Sequence, residues 1–575
     1  MSKANINIEM LKRAVLEKKV KEQIKQYANE TRSLHMPITK TDRHAPLVLS
    51  FAQQRLWFIG QFDSAASRAY HIPVALRLTG KLEHQALISA LDNLVARQES
   101  LRTHFTLVDD QPCQKIAPPD TGFSMSYLDL RSLSEDERSA RVDELAESEA
   151  RMPFDLTQGP LIRGQLLHLD NEEHVLLFTQ HHIISDGWSS GILIRELAAF
   201  YQAALTGHDA DLPPLPIQYA DYAAWQRSAL HCDELTVQRD YWYNQLNGAP
   251  SLLELPTDRP RPSVQSYSGN KIPVHFDGEL LTALKTFAQN QGATLFMTLL
   301  TAWTIVLSRL SGQNDIVIGL PIANRTRTEL DNLIGFFVNT LALRIESGQC
   351  HTIAELLAHV RKQTLAAYAH QDLPFEQVVE ALQPERSLSH SPIFQVMLAL
   401  DNTPAQELKL PGLELSIIEQ PQYSAQCDLT LSFTETAGNS GLIGTLIYAT
   451  DLFDRETVVR IAGYFQNVIT AMIADVNQTI SSLPMLSVME QQQLLVDFNA
   501  TQADFPQNAL VHELFEQQVA QTPEAIAVVC EGQTLSYDQL NRQANQLAHY
   551  LIGLGIQPDD RVAICVERSP ALIVC

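Results

Sequence analysis

The chain has 575 residues and a formal net charge of −24 at pH 7, and 45% of its residues are hydrophobic against 19% that are charged. A chain of this length exceeds what one hydrophobic core can organise, so we expect several domains in a soluble globular protein. The acidic balance excludes a general role in nucleic-acid binding, and no uninterrupted apolar run reaches the length of a membrane span.

The seven cysteines are scattered, and none forms a CxxC pair or a metal-ligand spacing. We therefore expect free thiols, no metal site and a reducing compartment, which we take to be the cytoplasm. The N-terminus shows no apolar core of signal-peptide length, which agrees with a cytoplasmic localisation.

Residues 1–45 differ from the rest of the chain, because they carry ten Lys and Arg against five Asp and Glu. Apolar residues recur at helical spacing between residues 6 and 29, among them Ile8, Leu11 and Val15, which predicts an amphipathic helix followed by a linker. This helix is a candidate docking segment for an upstream protein. The alternative is a helix that packs on its own domain or faces solvent.

Two regions of mixed helices and strands follow. In the first, apolar alternation predicts strands at His71–Leu78, Thr103–Val108 and Leu161–Leu169, and helical recurrence predicts helices at Leu49–Phe62 and Leu87–Leu101. Prolines at 213–216 then break the pattern. In the second region we predict strands at Ile272–Phe276 and Asp315–Leu320 and helices at Leu280–Gln291 and Leu295–Leu310.

The two regions have similar size and element order. We therefore predict one domain over residues 46–483, built from an N-lobe of about 46–218 and a C-lobe of about 219–483, in the α/β (α+β) class. A ligand site is expected at the lobe junction, where such sites are common.

The character of the chain changes again near residue 484. A polar helix and linker, Ser487–Thr501, precede a new α/β unit with strands at Ala525–Cys530 and Arg561–Val566 and a helix at Tyr537–Leu554. No Gly-rich phosphate loop follows residue 484. We expect residues 484–575 to be a linker and the start of a domain truncated before its nucleotide site.

The stretch HHIISDG contains the candidate site residues His181, His182, Asp186 and Gly187. An apolar run before it predicts a buried strand, and apolar residues after it recur at helical spacing, with Ser189 and Ser190 as candidate caps. The histidines therefore lie on a loop between a strand and a helix, a common setting for catalytic side chains.

Each residue type in this stretch suits acid–base chemistry. A histidine can take up a proton near neutral pH, Asp186 can orient a ring or brace the loop, and Gly187 permits close approach of backbone. The alternative is a pair of structural histidines beside an Asp-Gly turn. Arg325 and Arg327 are candidate partners for a buried Asp186, since arginine can bind a carboxylate through paired hydrogen bonds; the alternative is a surface arginine.

Seven blocks in order resemble the condensation domain of a nonribosomal peptide synthetase: SFAQQRLWF, RQESLRTHF, HHIISDG, YADYAAW, IGFFVNT, HQDLPFE and RSLSHSPIF. LSYDQL, at 535–540, looks like the first motif of an adenylation domain. The resemblance covers residues 46–575. Two positions depart from the usual pattern: Gln98 stands where the family often has His, and Ser387 where Asp is frequent.

The resemblance implies a V-shaped pseudodimer of two chloramphenicol-acetyltransferase-like lobes, with a tunnel between them and His182 near its middle. Donor and acceptor peptidyl carrier protein domains would dock at the two mouths, each bringing a thioester on a phosphopantetheine arm. The donor acyl group would pass to the acceptor's α-amino group. The chain itself would hold no covalent cofactor, and residues 1–45 could bind an upstream synthetase subunit.

The resemblance also implies roles for the candidate residues. His182 would take the amine proton or hold the amine in line. If it acts as a base, the value for an unperturbed histidine predicts an apparent pKa in the region of 6 to 7. The N–H of Gly187 would face the oxyanion. His181 and Asp186 would be structural, with Arg325 pairing Asp186. The local sequence, rather than the resemblance, predicts a structural role for His370, because it lies in a helix-ending block with Pro374 and has no acid at motif spacing.

Four alternatives stay open. An epimerisation domain shares the histidine motif, although SFAQQRLWF and the adenylation start favour condensation. A cyclisation domain would carry two aspartates in place of the histidines, and a free-standing CoA-dependent acyltransferase would not precede LSYDQL. A non-catalytic docking platform would not need the intact motif. The form of SFAQQRLWF favours an L-configured donor.

Overall fold

The structure is a computed structural model that describes residues 37–229, 233–385, 387–401, 409–436 and 440–575. It contains two compact units, residues up to 488 and residues 489–575. The predicted N-terminal helix at residues 6–29 lies outside the described residues.

The first part of the larger unit alternates strands and helices, as the sequence predicts. Its elements are β1 (Leu47–Val48), α1 (Phe51–Phe62), α2 (Ser64–Arg68), β2 (His71–Gly80), α3 (His84–Arg97), β3 (Thr103–Val108), β4 (Gln111–Ile116), β5 (Met125–Asp129), α4 (Glu135–Arg151), β6 (Ile162–Asp170), β7 (Glu173–His181) and α5 (Gly187–Thr206).

The second part begins with two helices and continues with a second set of strands. Its elements are α6 (Tyr219–Ala229), α7 (Asp233–Leu246), β8 (Gly269–Asp277), α8 (Gly278–Asn290), α9 (Leu295–Ser311), β9 (Asp315–Ile322), β10 (Asn339–Glu346), α10 (Ile353–Ala369), α11 (Phe375–Leu382), β11 (Val396–Asp401), β12 (Lys409–Leu410), β13 (Leu413–Ile418), β14 (Leu429–Glu435), β15 (Gly441–Ala449) and α12 (Arg455–Ala474).

Two six-stranded mixed sheets form the two lobes. The first has the order β12-β13-β2-β7-β6-β5, and the second has the order β10-β9-β11-β14-β15-β8. The second contains parallel pairs at β9–β11 and β11–β14, and the first one at β5–β6. Each lobe has its own hydrophobic core, so the predicted two-lobed α/β fold is confirmed.

Two segments from the second half of the chain cross into the first lobe. Strand β13 extends the first sheet by pairing with β2, beginning at Leu413 opposite Gly80. Residues 330–337 pack into the first core, where Leu333 and Phe337 are fully buried. Two segments of the second half of the chain therefore form part of the first lobe, which links the lobes in addition to their surface contacts.

Glycines allow the backbone to come close at both crossings. Gly80 has φ +124°, and a Cβ there would lie 2.6 Å from the carbonyl oxygen of Gly412. A Cβ on Gly335 would lie 2.0 Å from Cδ2 of Tyr219. A larger residue at either position would displace the crossing segment.

Helix α6 also packs into the first core through Tyr219 and Tyr222. The exact lobe boundary near residue 218 therefore stays a prediction, as do the other domain limits.

Among the described residues, one helix, α12, is long and apolar enough to cross a membrane. The pair α8–α9, bent by 99°, would add a second span if the two helices were counted as one. Val458 and Phe465 place the inner face of α12 in the second core.

The smaller unit and the end of the larger one contain α13 (Val488–Leu495), α14 (Val511–Gln521), β16 (Ile526–Cys530), β17 (Gln533–Ser536), α15 (Tyr537–Gly553) and α16 (Pro570–Val574). The strand predicted at Arg561–Val566 is wrong, because these residues form no strand in the structure. Their apolar alternation favours a strand, but a strand also needs a neighbour with which to form a hydrogen-bonded ladder.

Candidate functional site: the histidine loop at the lobe junction

His181 is the last residue of β7 and lies in the protein interior, with 1% of its surface exposed. Its Nδ1 accepts the backbone N–H of Ile183 at 3.1 Å, so in the neutral ring the proton is on Nε2, which faces the hydroxyl of Ser67 at 3.2 Å. Burial lowers the pKa of His181 well below its usual value, and the neighbouring His71 and His182 lower it further. His181 is therefore a neutral, hydrogen-bonded support of the loop.

His182 begins a single turn of 3-10 helix, His182–Ile184. Its Nδ1 lies 2.9 Å from the carbonyl oxygen of Ser185. A carbonyl oxygen can only accept, so Nδ1 carries the proton and Nε2 of the neutral ring keeps its lone pair. The backbone N–H of His182 donates to the carbonyl of Tyr70 at 2.8 Å, which fixes the turn to β2.

The surroundings of His182 favour its neutral form. Burial lowers its pKa, Asp186 and the Ser185 carbonyl raise it, and the positive charge of Arg55 lowers it again; the net pKa is below the usual value. The expectation of a pKa near 6 to 7, that of an unperturbed histidine, is therefore corrected downward. Sequence reasoning could not foresee burial and a cation contributed by another helix.

Asp186 is the N-cap of helix α5 and has no exposed surface. Its Oδ1 accepts the backbone N–H and the hydroxyl of Ser189 at 2.8 and 2.7 Å, and its Oδ2 accepts the N–H of Phe337 at 3.0 Å. The expectation that Ser189 or Ser190 caps the helix is therefore wrong, because α5 begins two residues earlier, at Gly187. Asp186 is fully enclosed by the protein and bound by backbone and side-chain groups of it.

Arg325 is the predicted partner of Asp186, and the structure places its Nη2 3.3 Å from Oδ1 of Asp186, with both side chains almost fully buried. The guanidinium also donates to the carbonyls of Leu330 and Leu333. It therefore links the crossing segment of residues 330–337 to the histidine loop. Arg327, the other candidate, instead lies 3.5 Å from Glu329.

Gly187 is exposed at the first residue of α5, where helical N–H groups have no partner inside the helix. A Cβ at this position would meet no protein atom within 4 Å. Packing within the protein does not require a glycine here, and the space in front of the loop is open.

His370 lies apart from the loop, at the end of α10, and stacks on Tyr241 with ring centroids 3.8 Å apart.

Several residues that sequence reasoning did not assign complete the site. Ser50 caps α1 and exchanges hydrogen bonds with Gln53, whose side-chain amide donates to the carbonyl of Ile183 at 3.2 Å. Tyr219 donates to the carbonyl of Phe336 at 2.6 Å. The S-x-x-Q spacing in SFAQ is a capping-box signal visible in the sequence, whereas the contact of Tyr219 depends on tertiary structure alone.

No group of three or more His, Cys, Asp or Glu within the described ranges is arranged to hold a metal ion. The functional groups gathered on the loop are one imidazole with a free Nε2, the open backbone at Gly187 and a buried carboxylate that holds them in place.

A family model described as Condensation domain matches residues 44–495.

The chain belongs to the condensation-domain family.

A second family model, AMP-binding enzyme, matches residues 515–575 behind the condensation domain. Malpinin synthetase of Mortierella alpina is 49% identical over 96% of this chain, and gramicidin S synthase 2 of Brevibacillus brevis is 38% identical over 92%. The chain spans only 7% and 12% of their lengths. The predicted family, a condensation domain followed by the start of an adenylation domain, is confirmed.

A solved four-domain nonribosomal peptide synthetase, bound to AMP and glycine, is 25% identical with a TM-score of 0.76, covering 89% of this chain and 39% of that structure. The fold of the condensation domain is therefore that of known synthetase domains. The roles of the individual residues of the histidine loop stay predictions.

Asp186→Ala in the condensation domain is expected to reduce the free energy of unfolding by about 3–5 kcal/mol, because it leaves the buried Arg325 without its partner. Arg325→Met should also destabilise, and the double variant should lose less than the sum of the two single changes. Urea unfolding followed by tryptophan fluorescence measures this, since all five tryptophans precede residue 489.

The matched control is Asp129→Ala, which removes an aspartate that pairs with Arg131 at the surface. It should change stability little, because exposed ion pairs contribute little. An Asp186→Ala protein as stable as the wild type but inactive would instead give Asp186 a direct chemical role.

Proposed function

We propose that the condensation domain of this chain forms peptide bonds, transferring a peptidyl or aminoacyl group from a carrier-bound thioester to the α-amino group of a second carrier-bound aminoacyl thioester. The observation that carries this proposal is the free Nε2 of His182, held neutral on a fixed loop at the lobe junction. The reaction needs an unprotonated group of this kind beside the attacking amine.

The reaction divides into bond changes that the loop residues can serve. The acceptor nitrogen attacks the thioester carbonyl carbon, a C–N bond forms, and the C–S bond breaks to release the donor's phosphopantetheine thiolate. His182 Nε2 receives the proton lost by the amine nitrogen and can return it to the leaving sulfur. The N–H of Gly187, at a helix start, can donate to the carbonyl oxygen as negative charge develops there.

The reaction needs no covalent enzyme intermediate. Asp186 and His181 hold the loop in position through their hydrogen bonds. The donor and acceptor are proposed to arrive on peptidyl carrier protein domains, whose phosphopantetheine arms carry the two reacting thioesters. Binding of an upstream synthetase subunit through residues 1–45, and a cytoplasmic location, are proposed on the sequence evidence alone.

His182→Ala is expected to reduce single-turnover peptide-bond formation by about 10²–10⁴-fold, the usual contribution of a positioned acid–base group. The measurement uses donor-loaded and acceptor-loaded carrier domains and detects the dipeptidyl thioester by mass spectrometry. The matched control, His208→Ala, removes an exposed histidine on a different part of the N-lobe and should leave the rate unchanged. A His182→Ala protein with full rate would rule out the proposal.

The pH dependence distinguishes a base from a positioning group. Because the pKa of His182 is lowered, the rate should rise as pH increases through a value below about 6.5 and then level off, once titration of the acceptor amine is divided out. A rate that does not change with pH in that range would show that His182 only aligns the amine.

We also propose that this polypeptide does not activate amino acids, because residues 489–575 contain no Gly-rich phosphate loop. Amino-acid-dependent exchange of pyrophosphate into ATP should stay at background level. Exchange above background that requires one particular amino acid would show a working adenylation site.

A further inference from the structure

A buried glutamine fastens the crossing segment of residues 330–337 to the first lobe. Gln98 has no exposed surface and lies between helix α3 and a single turn of 3-10 helix, Glu99–Arg102. Its side-chain amide donates to the carbonyl of Asn332 at 3.1 Å, and its side-chain carbonyl accepts the N–H of Ile334 at 3.1 Å. One side chain therefore binds two peptide groups of the crossing segment.

The same amide also reaches the helix that follows the histidine loop. Its nitrogen donates to Oε2 of Glu196 on α5 at 3.0 Å, and Glu196 is almost fully buried and paired with Arg97 at 2.9 Å. The three bonds of Gln98 require two donors and one acceptor on one uncharged side chain, which glutamine supplies. Gln98 is therefore a bridge between α5 and the crossing segment.

Ser100 adds a second attachment to the same peptide. Its hydroxyl donates to the carbonyl of Ile334 at 2.7 Å, and only 3% of its surface is exposed. The N–H of the next residue, Gly335, donates to the hydroxyl of Ser189 in the first turn of α5 at 3.1 Å. The backbone at residues 334–335 is thus held from both sides, by the stretch that contains Gln98 and by the helix after the histidine loop.

Phe336 is the part of the crossing segment that meets the candidate base. Its ring lies beside that of His182, with centroids 5.1 Å apart and planes inclined at 54°. The N–H of the next residue, Phe337, donates to Asp186 at 3.0 Å. A change in the backbone at Ile334 therefore displaces an aromatic ring that packs against the imidazole.

We propose that Gln98 is a positioning residue for peptide-bond formation, because it sets the place of the Phe336 ring and this ring sets the place of the His182 imidazole. The inference rests on the proposed function of His182. Gln98 is enclosed by the protein, so it acts on the reaction through this chain of contacts and not by touching a substrate. Small displacements of reacting groups lower a rate strongly, so the loss of Gln98 should lower the rate at saturating substrate.

The test compares two glutamines that make the same kind of bonds in different lobes. Gln395, in the second lobe, is also buried; its amide donates to the carbonyls of Ser251 and Ser391 at 3.1 and 3.0 Å, and its carbonyl accepts the N–H of Leu253 at 2.8 Å. Gln98→Met and Gln395→Met each remove three hydrogen bonds of a buried amide and keep the length of the side chain. Both variants should unfold at a lower urea concentration than the wild type, because they leave buried polar groups without a partner.

The rate of peptide-bond formation separates the two variants. It is measured in single turnovers of the full chain, with a donor-loaded carrier domain and increasing concentrations of an acceptor-loaded carrier domain, on protein that tryptophan fluorescence shows to be folded. Gln98→Met should lower the rate at saturating acceptor by about 10–100-fold and leave the half-saturating acceptor concentration within a factor of about two. Gln395→Met should have the wild-type rate.

Two results of this comparison would overturn the proposal. Equal rates for Gln98→Met and Gln395→Met, whether full or reduced, would show that Gln98 contributes only to folding. A higher half-saturating concentration with an unchanged saturating rate would show that Gln98 affects binding of the acceptor and not the position of the imidazole.

A double variant tests the path through Phe336. Phe336→Leu removes the ring beside His182 and should itself lower the rate. If Gln98 acts through that ring, adding Gln98→Met to Phe336→Leu should lower the rate by less than the product of the two single effects. Effects that multiply would contradict the proposal, because Gln98 would then act independently of Phe336.

Ser100→Ala decides the question if Gln98→Met does not fold. It removes a single bond to the carbonyl of Ile334. Its matched control, Ser347→Ala, removes a buried hydroxyl that donates to the carbonyl of Asn314 at 3.1 Å in the second lobe. A lower saturating rate in Ser100→Ala alone supports the proposal, and equal rates in the two variants overturn it.

His182→Ala, measured beside these variants, separates the inference from the proposed function. If His182→Ala has the wild-type rate, the proposed function is wrong and the inference is wrong with it. If His182→Ala loses its rate while Gln98→Met and Gln395→Met have equal rates, the proposed function stands and the inference alone is wrong.

Discussion

One buried carboxylate links the two halves of this domain. Asp186 caps the helix that follows the histidine loop, and the same side chain accepts the N–H of Phe337 and the guanidinium of Arg325 from the second half of the chain. A buried charge without such partners would cost several kcal/mol. The loop therefore has its observed position only when the crossing segment is in place, which couples the site to the assembly of both lobes.

This arrangement divides the work between the adjacent histidines. His181 uses both ring nitrogens in hydrogen bonds to Ile183 and Ser67, and burial keeps it neutral. His182 uses only Nδ1, toward Ser185, and its Nε2 makes no hydrogen bond to the described residues. The difference comes from the turn between them: the strand ends at His181, so the next side chain points out of the sheet core.

Much of this could be predicted from the sequence, because it depends on local pattern. Apolar periodicity indicated the strand before the histidines and the helix after them, and the motif blocks indicated the family. What failed were features set by distant contacts. Tyr219 meets Gly335 across 116 residues of chain. The helix start at Gly187, by contrast, is set by a local bond, because Asp186 accepts the N–H of Ser189. The extended segment at Arg561–Val566 forms no strand because pairing depends on a neighbour that periodicity does not reveal.

The chemistry proposed for the histidine loop requires that His182 is neutral at pH 7, with its proton on Nδ1 and a free lone pair on Nε2. The most direct measurement is the ¹⁵N chemical shifts of the ring in histidine-labelled protein, assigned by the signals lost in His182→Gln. We expect a protonated, pyrrole-type Nδ1 and an unprotonated, pyridine-type Nε2 at pH 7. An imidazolium ring, or a neutral ring protonated on Nε2, would contradict it.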